Sequence, residues 1–307
     1  MPQGSILGPL LFVLYINDFS QSSNLLSFLL FADDSNIFYS HHDPQYLLNT
    51  LNAELLIVDN WIKCNKLSLN LDKTHFMLFS NTLKNLPGQI ILDGTPLIRI
   101  HNSKFLGVII DEDLSWKPHI NNVCTVISRN IGVINKMKWS FPQSTLLMLY
   151  YSLIYPYLNY GVLAWGNANA TLIDRIFLLQ TKALRIMFNT DFRAHTDVLF
   201  SDNNILKIRE IFSLQLGTFM YLLHNHELPH SFDSMFSKNY NYHNYPTRQS
   251  ASFHLPKNRT AFANHIFTYA GPKLWNDLPD TLRQCNSVYT FKRKLKLHIS
   301  QSSAITA

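Results

Sequence analysis

Cysteine is scarce in this sequence, and the few cysteines exclude two classes of cross-linked protein. The 307 residues include three cysteines, Cys64, Cys124 and Cys285. Their number is odd, and there is neither a Cys-x-x-Cys pair nor a Cys/His ligand spacing, so neither a disulfide framework nor a zinc site is indicated. This usage fits a reducing compartment. A basic-then-apolar leader is also absent, which predicts an intracellular protein, nuclear or cytoplasmic, rather than a secreted one.

Charged residues are also few, at 15% of the chain, and their signs are unevenly distributed. Residues 1–113 carry 6 basic and 11 acidic groups, whereas residues 238–307 carry 10 basic and 2 acidic groups. This asymmetry suggests an acidic catalytic part beside a part that binds a polyanion, although a basic tail can equally be a solubilising face.

One stretch, residues 141–173, has no charged residue and is long enough to span a bilayer. Tyrosines, Pro156 and Asn159 occupy its middle, whereas interfacial residues belong at the two ends of a membrane helix. The pattern therefore favours a buried helix pair over a membrane span, and we expect no membrane partner.

The sequence is organised around residues 27–40, where two apolar runs of strand length flank the adjacent carboxylates of Asp33 and Asp34. This pattern predicts a β-hairpin with the acid pair at its tip. Adjacent carboxylates raise each other's pKa unless a cation neutralises them. Mg²⁺ is usually held by one or two carboxylates, with water and substrate phosphates completing its shell. Taken alone, the pair is also consistent with a solvated turn.

Four blocks of sequence, in this order and spacing, resemble the reverse transcriptase of a non-LTR (LINE-like) retrotransposon. They are Pro-Gln-Gly-Ser-Ile-Leu-Gly-Pro-Leu-Leu-Phe at residues 2–12, Phe-Ala-Asp-Asp at 31–34, Leu-Asn-Leu-Asp-Lys-Thr at 69–74 and Lys-Phe-Leu-Gly-Val at 104–108. Three further blocks, at residues 155–161, 165–166 and 270–276, are similar to the downstream region of the same reading frames.

The resemblance implies an α+β fold in three parts. Residues 1–113 would form a partial polymerase palm, which is an antiparallel sheet with packed helices. Residues 114–170 would form a thumb-like helical region, and residues 171–307 a helical, C-terminally basic region.

The resemblance also implies a metal site. Asp33 and Asp34 would be catalytic residues that bind Mg²⁺ or Mn²⁺. Lys73 would act near the leaving pyrophosphate, by donating a proton or stabilising developing charge. Without the block match, Lys73 is an ordinary solvated surface group.

Two more groups of residues would contact the nucleic acid and nucleotide. The nucleotide and template groove would be lined by Gln3, Gly4, Phe31 and Ala32. The primer grip would be formed by Phe105, Leu106 and Gly107. Without the other blocks, the Gln-Gly pair is an ordinary turn that leads into a helix.

Members of this family complete the metal site with an aspartate from an earlier strand, upstream of the Pro-Gln-Gly block. No residue of this sequence matches that aspartate, so we expect a chain without the fingers and first palm strand, and with negligible polymerase activity alone. The partners implied are an RNA template, a DNA primer and deoxynucleoside triphosphates. The alternative function is a noncatalytic RNA- or DNA-binding transposon remnant, in which only the basic part acts.

Periodicity predicts the elements of the acidic part. Residues 5–19 are expected to form a buried helix, and Asp43-Pro44 to begin a second helix. The apolar stripe of the second helix comprises Leu48, Leu51, Leu55, Val58 and Ile62. Two strands are expected on either side of Lys73, a loop or hairpin at 81–94, and a strand at 104–110 whose glycine permits close backbone approach.

Periodicity and charge together predict the basic part. An amphipathic helix is expected after Trp116, with a polar side that carries Arg129, Lys136 and Lys138 for a nucleic-acid backbone. Helices are expected at about 144–155, 172–188 and 205–223, the last interrupted by Gly217. Residues 229–260 suit single-stranded nucleic acid or a partly ordered linker. A final basic helix at 290–299 suits a nucleic-acid backbone or a nuclear-import signal through Lys292, Arg293, Lys294 and Lys296.

Overall fold

The chain has an α+β fold, as predicted, and its contacts divide it into two compact units. The computed structural model describes residues 5–80, 83, 85–242, 250–258, 263 and 266–305, so Gln3 and Gly4 lie outside the described residues. The first unit comprises residues 1–103 and 111–114, and the second comprises residues 104–110 and 115–307. The division into palm, thumb and C-terminal region stays a prediction. Among the helices described, none is long and apolar enough to cross a membrane.

The first unit contains two long helices and several short strands. They are α1 (Leu7–Ile16), β1 (Ser27–Phe31), β2 (Asp34–Phe38), α2 (Pro44–Cys64), β3 (His75–Phe76), β4 (Ile91–Leu92), β5 (Thr95–Pro96) and β6 (Ile98–Arg99). Strand β1 pairs antiparallel with β2, and β4 with β5, whereas β3 and β6 are parallel. The sheets of this unit are therefore two-stranded ribbons packed on α2.

Helix α2 begins and packs as predicted. The Asp43 side chain accepts hydrogen bonds from the backbone N–H groups of Gln45 (2.8 Å) and Tyr46 (3.1 Å), and Pro44 occupies the first helical position. The predicted stripe is buried except for Leu51, which is half-buried. This single helix contributes to both apolar clusters of the unit, so it is the scaffold of the ribbons.

Helix α1 exists, but the prediction that it is buried is wrong. None of its residues is buried, and Leu14 is 65% exposed. Its apolar side chains are distributed around the whole helix, a pattern that is typical of a helix covered on all sides. The described residues of this unit do not cover that surface.

The two strands predicted around Lys73 are largely absent. Residues 67–70 are irregular, and Leu71–Lys73 forms one turn of 3₁₀ helix before the two-residue strand β3. The Asn70 side chain accepts a hydrogen bond from the Lys73 backbone N–H at 3.2 Å. Such a local side-chain bond competes with strand pairing, which the alternation of leucines does not reveal.

The single strand predicted at 104–110 is instead a hairpin. Strand β7 (Asn102–Phe105) turns at Leu106 and Gly107 into β8 (Val108–Asp111). Leu106 has φ of 45° and Gly107 has φ of 86°. Two consecutive positive φ values define a two-residue primed turn, which fits the twist of a hairpin. Leucine is rare in this conformation, so the sequence gives little sign of the turn.

The second unit is helical and has one continuous apolar core. Its helices are α3 (Lys117–Met137), α4 (Gln143–Leu153), α5 (Tyr155–Asn159), α6 (Val162–Trp165), α7 (Ala170–Met187), α8 (Asp197–Asp202), α9 (Ile208–His224), α10 (Phe267–Asp277), α11 (Asp280–Arg283) and α12 (Val288–Ile305). The predicted apolar stripe of α3 is buried throughout. Helix α3 packs on α7, and α9 packs on α10 and α12.

Helix α9 is continuous, so the predicted interruption at Gly217 is wrong. A methyl group on Gly217 would lie 2.5 Å from Cδ2 of Leu295. The glycine therefore permits close packing of α12 on α9, and this tertiary contact offsets its poor helix propensity.

A buried histidine, His119, connects the hairpin residues of the second unit to α3. Its Nδ1 accepts a hydrogen bond from the Ile109 backbone N–H at 3.2 Å, and the centroid of its ring lies 5.5 Å from that of the Trp165 ring. Among the described residues, Nε2 has no hydrogen-bond partner. Burial lowers the pKa of His119 below its ordinary 6.5, because the charged form is desolvated.

We expect acid to weaken this unit through His119. Below pH 6.5 the unfolded chain takes up a proton at His119 that the folded protein resists, so the free energy of unfolding falls as pH falls. Protonation would also place a proton on Nδ1, which could then no longer accept the hydrogen bond from the Ile109 N–H. Chemical denaturation of the full chain between pH 5 and 8 should therefore show stability that rises with pH and levels off above 6.5.

The variant His119→Gln separates this effect from the other histidines, since it retains an acceptor but does not titrate. Burial also lowers the pKa of His224, which contributes a slope of the same sign in both proteins. The expected result is a shallower dependence in the variant. Equal slopes in the two proteins would contradict a role for His119.

Candidate functional site

The acid pair lies at the tip of a tight hairpin, as predicted. The last paired residues of strands β1 and β2 are Phe31 and Asp34, which leaves Ala32 and Asp33 as a two-residue loop. Asp33 is therefore a loop residue, Asp34 is the first residue of β2, and both are exposed. The register fixes the two carboxylates at the same end of the ribbon.

The loop is strained at Ala32, which has φ of 51°. A positive φ at the first loop residue is a feature of primed hairpin turns, and for a residue with Cβ it costs about 1–2 kcal/mol. Such strain persists only where the surrounding structure enforces it, and it is frequent at functional sites.

The base of the hairpin provides that enforcement. Phe28, Leu30 and Ile37 pack against a cluster that contains Phe19 and Val58. The Phe19 and Phe28 rings lie edge to face, with centroids 5.2 Å apart. The exposed turn thus belongs to a ribbon whose other residues pack against α2.

The acid pair supplies the kind of ligand that a divalent cation requires. No hydrogen bond or ion pair involving the Asp33 or Asp34 side chain occurs among the described residues. Two carboxylates with free oxygens suit Mg²⁺, which takes one or two protein carboxylates. Within the described part of the chain, no group of three or more His, Cys, Asp or Glu residues forms a metal-binding cluster. The residues present thus fit part of a metal site.

The other predicted site residues of the first unit are more dispersed. Phe31 and Ala32 lie in the acid hairpin, and both are exposed. Lys73 ends the 3₁₀ turn, and its side chain is also exposed. The structure therefore assembles Phe31, Ala32 and the acid pair on one hairpin, with Lys73 on a separate segment.

The predicted primer-grip residues belong to the second unit. Phe105 ends β7, and Leu106 and Gly107 form its turn. The hydroxyl of Tyr160 donates a hydrogen bond to the Leu106 carbonyl oxygen at 2.5 Å. Tyr160 and His119 thus both contact this hairpin, and no sequence pattern predicts a role for either residue. The only signal was the block at residues 155–161, which identifies no contact.

The predicted backbone-binding cations are exposed or half-buried on two helices of the second unit. Arg129 and Lys136 are exposed on α3, and Lys138 caps its end, with Nζ 4.8 Å from the Trp139 ring centroid. On α12, Phe291 and Leu295 are buried. Its other side carries the exposed Lys292, Arg293 and Lys294 and the half-buried Lys296.

These cations are available for an anionic ligand. No ion pair within the described residues uses any of the seven. A helix with a buried apolar side and unpaired cations opposite is suited to the phosphates of a nucleic acid, although it is also a common solvated surface.

Comparison with known proteins identifies relatives for most of the chain. Residues 1–110 match the sequence model of the family described as reverse transcriptase (RNA-dependent DNA polymerase). The probable RNA-directed DNA polymerase from transposon X-element of Drosophila melanogaster is 26% identical over 222 residues, 69% of this chain and 24% of that protein. The RNA-directed DNA polymerase from mobile element jockey of Drosophila funebris is 26% identical over 221 residues, 68% of this chain and 24% of that protein.

A third relative, the probable RNA-directed DNA polymerase from transposon BS of Drosophila melanogaster, is 25% identical over 240 residues, 74% of this chain and 26% of that protein. The chain thus spans about a quarter of the length of the curated relatives it matches. No solved structure matches it. The family match over residues 1–110 and these relatives agree with the four sequence blocks, and together they support a relationship to the LINE-like, non-LTR retrotransposon reverse transcriptases.

Proposed function

We propose that this chain is part of an RNA-directed DNA polymerase, in which Asp33 and Asp34 hold the catalytic metal. The observation that carries this proposal is the pair of adjacent, exposed carboxylates at the tip of a strained hairpin, inside the stretch that matches the reverse transcriptase family. The relatives that are named as polymerases support the activity, and the electrostatics of the pair supports the metal.

The reaction would be attack of a DNA primer 3′-hydroxyl on the α-phosphate of a deoxynucleoside triphosphate, directed by an RNA template. The family generally uses divalent metal ions, and we propose Mg²⁺, with Mn²⁺ as a substitute. When bound, the metal supplies activation of the nucleophile and neutralisation of the leaving group.

The residues of this chain would position that chemistry. Asp33 and Asp34 present carboxylate oxygens from a turn whose base is packed, so the ligands need little reorganisation. The exposed ammonium of Lys73 is free to stabilise charge on pyrophosphate or to donate a proton. The Phe105–Gly107 turn would support the primer end.

A metal-binding measurement tests the site without requiring turnover. Mn²⁺ broadens the NMR signals of nearby amides, so we expect titration of the full chain with Mn²⁺ to broaden residues 31–35 first, and Mg²⁺ to compete. Asp33→Asn or Asp34→Asn removes one of two charged ligands and should weaken binding at least about tenfold, a loss that changes outside the ligand shell already produce.

The matched control for this measurement is Asp72→Asn, which removes an exposed carboxylate of the same unit outside the acid pair. Its Mn²⁺ affinity should equal that of the parent. Broadening that is spread evenly over the acidic surface, or unaffected by Asp33→Asn, would refute a site at the hairpin.

Primer extension separates metal binding from catalysis. With two carboxylates and no third acidic ligand among the described residues, we expect the 307-residue chain alone to incorporate no deoxynucleotide above a protein-free blank. The assay uses a DNA primer annealed to an RNA template, with Mg²⁺. Incorporation that depends on Mg²⁺ and is abolished by Asp33→Asn would show that this expectation of inactivity is wrong.

A noncatalytic nucleic-acid-binding function is the second candidate. The observation that favours it is the set of exposed cations on α12, which have no ion-pair partner among the described residues. Binding of this kind needs no metal, so it would persist in EDTA and in Asp33→Asn.

Salt dependence measures this binding directly. Each phosphate that a cation neutralises contributes about 0.9 to the slope of log affinity against log salt for a duplex. We therefore expect Lys292→Gln/Arg293→Gln to lower the slope by about 2 units for an RNA–DNA hybrid. Fluorescence anisotropy at several salt concentrations gives this slope.

The control double variant is Lys182→Gln/Arg193→Gln, which removes two exposed cations of the same unit outside α3 and α12. Its net charge change equals that of the α12 variant. If both variants lower the slope equally, only net charge matters and α12 is no specific surface.

A further inference from the structure

The turn at Leu106 and Gly107 requires support from outside the hairpin. Leu106 has φ of 45°, a conformation in which Cβ crowds the backbone and which leucine seldom adopts. A short ribbon of four-residue strands provides few interactions to enforce it. Other residues of the second unit must therefore hold the turn in place.

Tyr160 supplies the first support. Its hydroxyl donates to the Leu106 carbonyl oxygen at 2.5 Å, and its ring lies beside Gly107. A Cβ on Gly107 would lie 3.1 Å from Cε1 of Tyr160, which is tighter than most Cβ contacts, so a side chain at this position would push the ring away by a few tenths of an ångström. The hydroxyl and the ring thus fix the two central residues of the turn.

His119 and Trp165 supply the second support. The Ile109 N–H, on the strand after the turn, donates to Nδ1 of His119. The indole N–H of Trp165 donates to the carbonyl oxygen of Tyr160 at 2.9 Å, and the indole ring lies beside that of His119. Trp165 is fully buried, so it connects both supports to the core.

The backbone between the two supports also approaches the hairpin closely. Gly161 has φ of 61°, and a Cβ on it would lie 2.8 Å from Cγ2 of Val108. The segment from Tyr160 to Trp165 therefore contacts the hairpin through the Tyr160 hydroxyl, the Tyr160 ring and the backbone at Gly161.

The exposure of Tyr160 argues against a simple core role. The residue is 57% exposed, so its apolar surface contributes little burial, whereas its hydroxyl bonds to the turn. Gly107 is exposed as well. A surface tyrosine that reaches a strained, exposed turn is better explained by positioning of that turn than by stabilisation of the helical unit.

We infer that Tyr160, His119 and Trp165 are positioning residues that hold the Leu106–Gly107 turn in the shape that supports a primer 3′ end. This role rests on the proposed polymerase function. It also gives the sequence blocks at 155–161 and 165–166 a physical purpose, because they hold the block at 104–108.

The test is Tyr160→Phe in the full chain, which removes one hydroxyl and retains the ring. Loss of one hydrogen bond is expected to speed hydrogen exchange of the Gly107–Ile109 amides about fivefold, while amides of α9 are unchanged. The preference for a recessed primer 3′ end over a continuous duplex of equal length, measured by competition, should fall about fivefold as well.

Tyr157→Phe is the matched control, since Tyr157 is an exposed tyrosine three residues earlier. It should leave both measurements at the parent values. A second variant, Tyr160→Phe/Leu106→Asn, tests the mechanism. An Asn-Gly turn adopts positive φ readily, so this variant should restore slow exchange at Gly107–Ile109.

The outcomes separate this inference from the proposed function. Unchanged exchange and unchanged preference in Tyr160→Phe would overturn the inference. Faster exchange with unchanged preference would also overturn it, because the bond would then be structural only. If the parent itself does not prefer the recessed 3′ end, the proposed function fails and the positioning role with it, whereas the exchange data still report the bond.

Discussion

Both hairpins that carry candidate site residues depend on the same constraint, a two-residue turn with positive φ at a residue that has a side chain. Ala32 and Leu106 occupy this conformation, each at a cost of about 1–2 kcal/mol. The twist of a short ribbon selects primed turns, so a more relaxed turn would splay the strands. Each turn therefore needs an external anchor, which is the apolar ribbon base packed on α2 in one case and Tyr160 with His119 in the other.

The two units that contain these hairpins differ in the number of apolar residues that they bury. The second unit has one core that runs through its helices, and the amide of the buried Gln180 is fully hydrogen-bonded within it. The Gln180 amide bonds to the Tyr150 hydroxyl and the Leu206 carbonyl, and it accepts from the Ile208 N–H. Among its described residues, the first unit has two clusters of four buried residues each, and α1 is left exposed. Its stability therefore depends more on local contacts such as the Asp43 cap.

The elements that sequence predicted well are those in which one periodic signal decides the structure. The stripes of α2 and α3 and the acid hairpin were confirmed, because burial of one side follows directly from spacing. The elements that it missed depend on contacts between distant residues. The turn at Leu106 is supported by the hydrogen bond from the Tyr160 hydroxyl. Helix α9 contains Gly217 because the side chain of Leu295 occupies the position that a Cβ would take. No local pattern around either residue encodes its partner.

Charge explains why metal chemistry and nucleic-acid affinity would reside in different units. Residues 1–113 carry 11 acidic and 6 basic groups, so the acid hairpin belongs to a part of the chain that repels phosphates. A divalent cation bound by Asp33 and Asp34, as we propose, would reverse this at the acid hairpin. Affinity for a long polyanion would then come from the helical unit, where Phe291 and Leu295 of α12 are buried and Lys292, Arg293 and Lys294 are exposed. Because the buried side chains of α12 are different from its cationic ones, the cations can be replaced without changing the side chains that pack in the core.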